Sequence, residues 1–203
     1  GSGSGTWSME PRLSIAYPIS VRDVFSFSYL RMHQAPAREF LYDNRLAVGD
    51  REPLGNPALG PATAISYEGA VKHVFSGEWA LQTSIFFRDA FGQVGVEDFS
   101  TFAGPVDVRY VSVDQSSTLG FECAAVHVVG DRLRLEGSYT WMQAWGNESR
   151  PGGDPYGPMR VAHTPAIGDQ PVSWDRRHSF MLTGQLRSGD RWSLAWSSMV
   201  GSP

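Results

Sequence analysis

Ile65-Ser-Tyr-Glu-Gly-Ala-Val-Lys-His-Val-Phe75, the polar turn Ser76-Gly-Glu-Trp79 and the run Leu81-Gln-Thr-Ser-Ile-Phe-Phe-Arg88 read as a strand written twice. Apolar and polar residues alternate on both sides of the turn, so each strand has an apolar and a polar face. The same grammar recurs around Val129-Gly-Asp-Arg132, around Ser188-Gly-Asp-Arg191 and around Pro18-Ile-Ser-Val-Arg-Asp23. Pro-, Gly- and Asp-rich stretches at about 34–62, 92–108 and 146–176 separate these hairpins. Short turns at one end, long loops at the other and two-faced strands describe an all-β, antiparallel, up-and-down β-barrel wall. Eight strands are expected at 12–17, 23–33, 63–75, 80–91, 109–128, 132–145, 177–187 and 192–200. Residues 1–10 read as a linker or loop end, and 11–203 as part of a transmembrane barrel.

Parity sharpens this reading. Apolar positions are odd through the first six strands, as in Leu13, Ile15, Phe25, Phe27, Ile65, Val71, Leu81, Ile85, Leu119, Phe121, Leu133 and Leu135. They are even in the last hairpin, as in Phe180, Leu182, Leu186, Trp192, Leu194 and Trp196. Paired residues share a face, and a one-residue slip inverts a strand. Each short turn must therefore hold an odd number of unpaired residues. Three-residue turns with a glycine do this, and Gly77, Gly130 and Gly189 stand where such turns need them.

The even face is polar to a degree that no protein core accepts. Its charged members Glu68, Lys72, Arg88, Glu122, Arg134 and Glu136 are expected to face a watery lumen, with Glu68/Arg88 and Glu122/Glu136 as charge networks. Aromatic residues gather at strand ends: Tyr17, Phe25, Phe75, Trp79 and Trp192 beside the short turns, Tyr29, Tyr67, Phe87, Trp141 and Trp196 toward the long loops. Two aromatic belts around an aliphatic band mark a lipid-facing wall. Trp145, Tyr156 and Trp174, assigned to long loops, are the candidate ligand contacts. In the alternative of a soluble β-sandwich the even face meets water, and these three form a platform for sugar or protein.

Bulk properties close off other classes. At 203 residues, 41% hydrophobic, 12% aromatic and 19% charged, the chain is not disordered. No run approaches 18 apolar residues, which excludes a membrane helix but not spanning strands of about 9–11 residues. A mean hydropathy of -0.25 suits a soluble protein and an outer-membrane barrel alike. The net charge of -4 offers no basic surface for nucleic acid. Of the 17 basic residues only Lys72 is lysine. Cys123 is the sole cysteine, so neither an internal disulfide nor a cysteine-based zinc site can form. His33, His73, His127, His163 and His178 lack metal-ligand spacing, and no cofactor is expected. His178 and Ser179 are adjacent and point to opposite faces, so a Ser–His nucleophile is not read and the chain is not expected to be an enzyme. Gly1-Ser-Gly-Ser-Gly5 is no signal peptide, so the chain reads as an internal piece of something longer.

Four stretches carry a family resemblance. Asn56-Pro-Ala-Leu-Gly-Pro-Ala-Thr-Ala-Ile-Ser-Tyr-Glu-Gly69 resembles the Asn-Pro-x-Leu-x-Pro-Glu loop and Tyr-Glu-x-Gly strand of TonB-dependent outer-membrane receptors, with Ala62 in place of the usual Glu. Pro11-Arg-Leu-Ser-Ile-Ala-Tyr-Pro18, Leu119-Gly-Phe-Glu122 with Gly137-Ser-Tyr-Thr140, and Trp174-Asp-Arg-Arg-His178 are similar to further strands of that family, in the same order. Asn147 and the Arg-His pair are most similar to receptors that carry a carboxypeptidase-regulatory-like domain. The resemblance implies part of a 22-stranded barrel with an N-terminal plug in a Gram-negative outer membrane. It implies import of a large or scarce ligand, energised by a TonB-type inner-membrane complex. Its implied partners are outer-membrane lipid, the rest of the barrel and the plug. A separate eight-stranded barrel with a structural or adhesive role is the other membrane alternative. The ligand is not legible in the sequence.

Overall fold

The computed structural model describes residues 8–43, 54–98, 108–147, 170–172, 174–189 and 191–202. The strands are β1 (Arg12–Pro18), β2 (Asp23–Gln34), β3 (Ala62–Val74), β4 (Trp79–Asp98), β5 (Val108–Val129) and β6 (Leu133–Asn147). They continue as a two-residue β7 (Gln170–Pro171), β8 (His178–Ser188) and β9 (Trp192–Gly201), and the one helix among the described residues is α1 (Arg38–Tyr42). All lie in one sheet of order β1-β2-β3-β4-β5-β6-β8-β9, with β7 paired to β6 alone. Every pairing is antiparallel. The eight long strands are those the alternating pattern predicts; β7 carries no alternation of its own.

Register enforces the parity rule. Phe25 faces Tyr17 and Val71, and Ile85 faces Gly69 and Phe121, odd against odd. Between β6 and β8 the phase switches: Leu135 faces Gly184, and Tyr139 faces Phe180. The short turns are odd, as pairing demands. Val129 pairs with Leu133 and Ser188 with Trp192, leaving 130–132 and 189–191 between them. The Phe75 N–H donates to the Trp79 carbonyl, leaving 76–78, and the Ile19 N–H donates to the Asp23 carbonyl, leaving 20–22. Gly130 (φ 53°) and Gly189 (φ 57°) take the left-handed conformation these turns need. Gly77 does not, so its place in the turn rests on something other than φ.

The even face is the crowded one. Ala70, Ser84, Phe86, Asp114 and Ala144 are buried, whereas Leu13, Ile15 and Ile85 on the odd face are exposed; Thr63, at the long-loop end of β3, is buried on the odd face. A sheet curved toward its even face produces this asymmetry, because side chains converge on the concave side and splay on the convex one.

The sequence places a long loop at 92–108, but β4 continues well into it, to Asp98, while β5 begins at Val108. Gly92 has φ 67° and sits at a register irregularity between Phe91 and Gln93. A glycine in that region lets the strand bulge and carry on instead of ending. Beyond the bulge Val96 pairs with Tyr110, and with Leu54 they form a small buried cluster joined by Phe40, Leu59 and Val94. The Asn56 motif anchors the preceding loop to this extension. The Asn56 amide donates to the Tyr110 carbonyl at 2.8 Å, and its Oδ1 accepts from the Ala58 N–H at 2.9 Å. The Tyr110 N–H donates to Leu54 O, the Asn56 N–H donates to Phe40 O, and Phe40 meets Tyr110 edge-on at 5.0 Å.

Candidate functional site

The functional feature is the wall itself, with an apolar convex face and a polar concave one. On the convex face beside the short turns, Trp79 stacks on His127 at 4.0 Å and His73 lies edge-on to Phe75 at 4.3 Å. Asp23 Oδ1 lies 2.5 Å from His73 Nδ1, and the Ser20 hydroxyl donates to Asp23 Oδ2 at 2.5 Å. Aromatic rings with a polar edge suit an interface between hydrocarbon and water. Toward the long loops, Tyr29 and Tyr67 pack at 5.2 Å. Phe87 stands eight positions beyond Trp79, and Trp141 eight beyond Leu133. Eight residues of strand span about 26 Å, which at a barrel tilt of about 40° is about 20 Å of height, close to the apolar band of a spanning barrel. Trp196 is only four positions beyond Trp192, with its ring over Gly184. It therefore falls between the belts, whereas the sequence places it at the long-loop end.

The concave face carries the six charged residues that the alternation places there. Arg134 and Glu136 form an ion pair at 2.5 Å with side chains 55% and 44% exposed. At that exposure the pair contributes at most about 1 kcal/mol. Lys72 faces Val24 and Gln82. Neither expected network forms as written. Glu68 is opposite Phe86 and Arg88 opposite Ser66, so the two share a face on a diagonal, and among the described residues no ion pair joins them. The Arg88 guanidinium instead lies 4.5 Å over the Phe86 ring. Glu122 faces Ser84 and Thr140, whereas Glu136 faces Val126 and Thr183, four pairs further along.

Phe86 itself is the residue that sequence reasoning missed. It is a 5%-exposed aromatic on the polar face. Its ring occupies the space a side chain at Gly120 would need: a Cβ there would lie 2.2 Å from the ring. The signal was present in the Phe86-Phe87 doublet, which breaks the alternation, and in the glycine opposite on β5.

At the long-loop end Trp145 lies inside β6, facing Ser117 and Pro171, and not in a loop. Trp174 is exposed, and Tyr156 falls outside the described residues. The Trp174-Asp-Arg-Arg-His178 stretch has a structural task. β8 leaves β6 at Trp141 and β7 joins it at Trp145, so the backbone at Ala144 lacks a strand partner. Asp175 fills the gap: its Oδ1 accepts from the Ala144 N–H at 2.9 Å, its Oδ2 from Arg177 Nε at 2.7 Å. The Val172 N–H donates to the Ala144 carbonyl. Among the described residues no group of His, Cys, Asp and Glu could hold a metal ion.

The fold of this wall is similar to that of known receptors. It matches the FrpB iron transporter of Neisseria meningitidis with TM-score 0.61 and 12% identity over 94% of the chain. The siderophore receptor PirA of Pseudomonas aeruginosa matches with TM-score 0.61 and 13% identity over 95%, and the ferric-catecholate import receptor Fiu of E. coli K12 with 0.60 and 16% over 97%. The chain spans 26%, 30% and 26% of these structures. The neighbours are TonB-dependent outer-membrane receptors of Gram-negative cells, transporters and receptors rather than enzymes. The chain thus has the fold of a section of their barrel wall. No protein-family model and no curated protein matches the sequence.

Proposed function

We propose that this chain is a section of the barrel of a TonB-dependent outer-membrane transporter, which imports a scarce ligand with energy from an inner-membrane complex. One observation carries the reading: a single sheet, one face of which is apolar between aromatic residues at the strand ends while the other is polar. A β-sandwich needs a second sheet to cover the apolar face, and the described residues form one. A closed eight-stranded barrel needs β1 paired with β9, and among the described residues each of these pairs on one side only. Both facts favour a larger barrel completed by further strands and filled by a plug. The residue roles follow. Glu68, Lys72, Arg88, Glu122, Arg134 and Glu136 line the lumen, and the aromatic belts hold the wall at the two membrane surfaces. Trp174 is a ligand contact, with Trp145 at the rim; Tyr156, the third candidate, lies outside the described residues.

The test is accessibility in intact outer membranes of cells carrying the whole protein, in a Cys123→Ser background. Ile85→Cys and Leu135→Cys should resist an aqueous maleimide, and Gln82→Cys and Glu136→Cys should react. Equal labelling would overturn the wall. Ligand uptake should then cease when the TonB-type complex is deleted, while surface binding persists; uptake that survives the deletion would overturn energised transport.

A further inference from the structure

The convex face of β2 and β3 has two features that the wall alone does not require. Above the Tyr29–Tyr67 pair, Arg31, His33, Thr63, Ser8 and Met9 line a cavity of about 590 Å³. Within it Arg31 Nε and His33 Nδ1 are buried without a hydrogen-bond partner among the described residues. Glu10 hydrogen-bonds to neither: its Oε1 accepts from the His33 backbone N–H at 2.9 Å and stands at ion-pair distance, 3.9 Å, from His33 Nδ1. Buried polar atoms are nearly always hydrogen-bonded, so two on one strand that lack a hydrogen bond leave room for an acceptor from outside. Below the tyrosines, Phe25, Phe27, Tyr67, Val71, Ile85 and Phe87 border an apolar groove of about 500 Å³. Gly69 forms its floor, with open space where a side chain would stand. Thr63 and Gly69 are six residues apart on β3, about 20 Å along a strand, the reach of one acyl chain.

We infer that this face binds a phosphorylated lipid, with its phosphate on Arg31 and His33 and an acyl chain in the groove over Gly69. The inference rests on the outer-membrane reading for the orientation of the face. The chemistry fits at both ends. A phosphate oxygen accepts charge-assisted hydrogen bonds from guanidinium and imidazole, and long basic side chains beside an aromatic belt reach the headgroup layer while their stems stay in hydrocarbon. The groove gives a chain more contact than a flat strand surface does.

The experiment uses the whole protein purified in detergent, with phosphatidic acid, the matching diacylglycerol and inorganic phosphate as probes. Phosphatidic acid should bind at least about tenfold tighter than diacylglycerol, and Arg31→Gln or His33→Gln should each weaken it about tenfold. Gly69→Leu should weaken phosphatidic acid and leave inorganic phosphate unchanged, because it fills the groove alone. Lys72→Gln, on the concave face, should change nothing. Equal binding of the two lipids, or indifference to both Arg31→Gln and His33→Gln, overturns the inference. Inorganic phosphate binding as tightly as the lipid, with Gly69→Leu silent, reduces the face to a free-anion site and overturns the lipid assignment. Membrane residence is read separately from Ile85→Cys labelling, so a negative lipid result in a protein that passes that test counts against this inference alone.

Discussion

At the residue scale, Phe86 and Asp175 show how single side chains support a wall that has little core. Phe86 occupies the volume over Gly120, so Gly120→Ala must displace a buried ring. Overpacking of this kind costs about 1–3 kcal/mol. In a Phe86→Leu background the same change should cost clearly less, and folding titrations of the four variants into lipid measure the difference. Equal penalties in both backgrounds would remove the ring as the cause. Asp175 closes a gap in the hydrogen-bond ladder with a side chain only 8% exposed. Asp175→Ala leaves the Ala144 N–H and Arg177 without their acceptor and should cost about 2–3 kcal/mol, whereas Arg176→Ala, on an exposed side chain, should stay within about 0.5 kcal/mol. These details were half legible. A doublet in an alternating strand and a glycine on its neighbour are visible in sequence, but which glycine meets which ring depends on register. The Asp175 clamp could not be read at all, because the gap it fills arises where β8 and β7 both fall short of Ala144.

At the element scale, alternation gave strand identity and face, and failed where glycine changes its meaning. Gly92 reads as a terminator, and the structure uses it to bend β4 and continue. The extension becomes the support for the loop around Asn56, whose buried Leu54 is 2% exposed. Leu54→Ala should cost about 2–4 kcal/mol of local stability, seen as faster hydrogen exchange at the Tyr110 N–H while exchange in β3 is unchanged. Exchange that accelerates across the whole sheet would contradict a locally docked loop. The two faces also differ in what they tolerate. Ile85→Arg, 62% exposed on the convex face, should cost about 2–4 kcal/mol in lipid. Ser84, its neighbour, lies on the opposite face but is only 6% exposed, so crowding makes it a poor water-facing control. Gln82→Arg, exposed on the same concave face, should be nearly neutral. Matching penalties at Ile85 and Gln82 would contradict the assignment of faces.

At the scale of the whole molecule, one open sheet leaves the outer edges of β1 and β9 unpaired among the described residues. Unpaired strand edges template aggregation, and in hydrocarbon each bare backbone group costs several kcal/mol. The 203-residue chain expressed without detergent should therefore run as large aggregates in sedimentation. A monodisperse monomer with a cooperative melt would contradict the wall. The architecture at this scale was legible because period-2 alternation survives in every long strand and the turns are too short to permit more than one pairing. Loop geometry was not, since a loop's position depends on contacts such as Leu54 with Tyr110 that no local pattern announces.

The odd-numbered turns have a bearing on how such a chain can change length. Removing one residue from 130–132 would put β5 and β6 out of phase and send the Leu side chains of β6 toward the lumen. Removing one residue from a long connection leaves both neighbouring strands in phase within their own hairpins. The switch from odd to even between β6 and β8 shows that such a change of count is already accommodated there. Each hairpin is thus a sealed unit joined to the next by a phase-neutral splice. Whole hairpins can be added, lost or exchanged without rewriting those that remain, and a single-residue edit does harm only inside the hairpin that receives it.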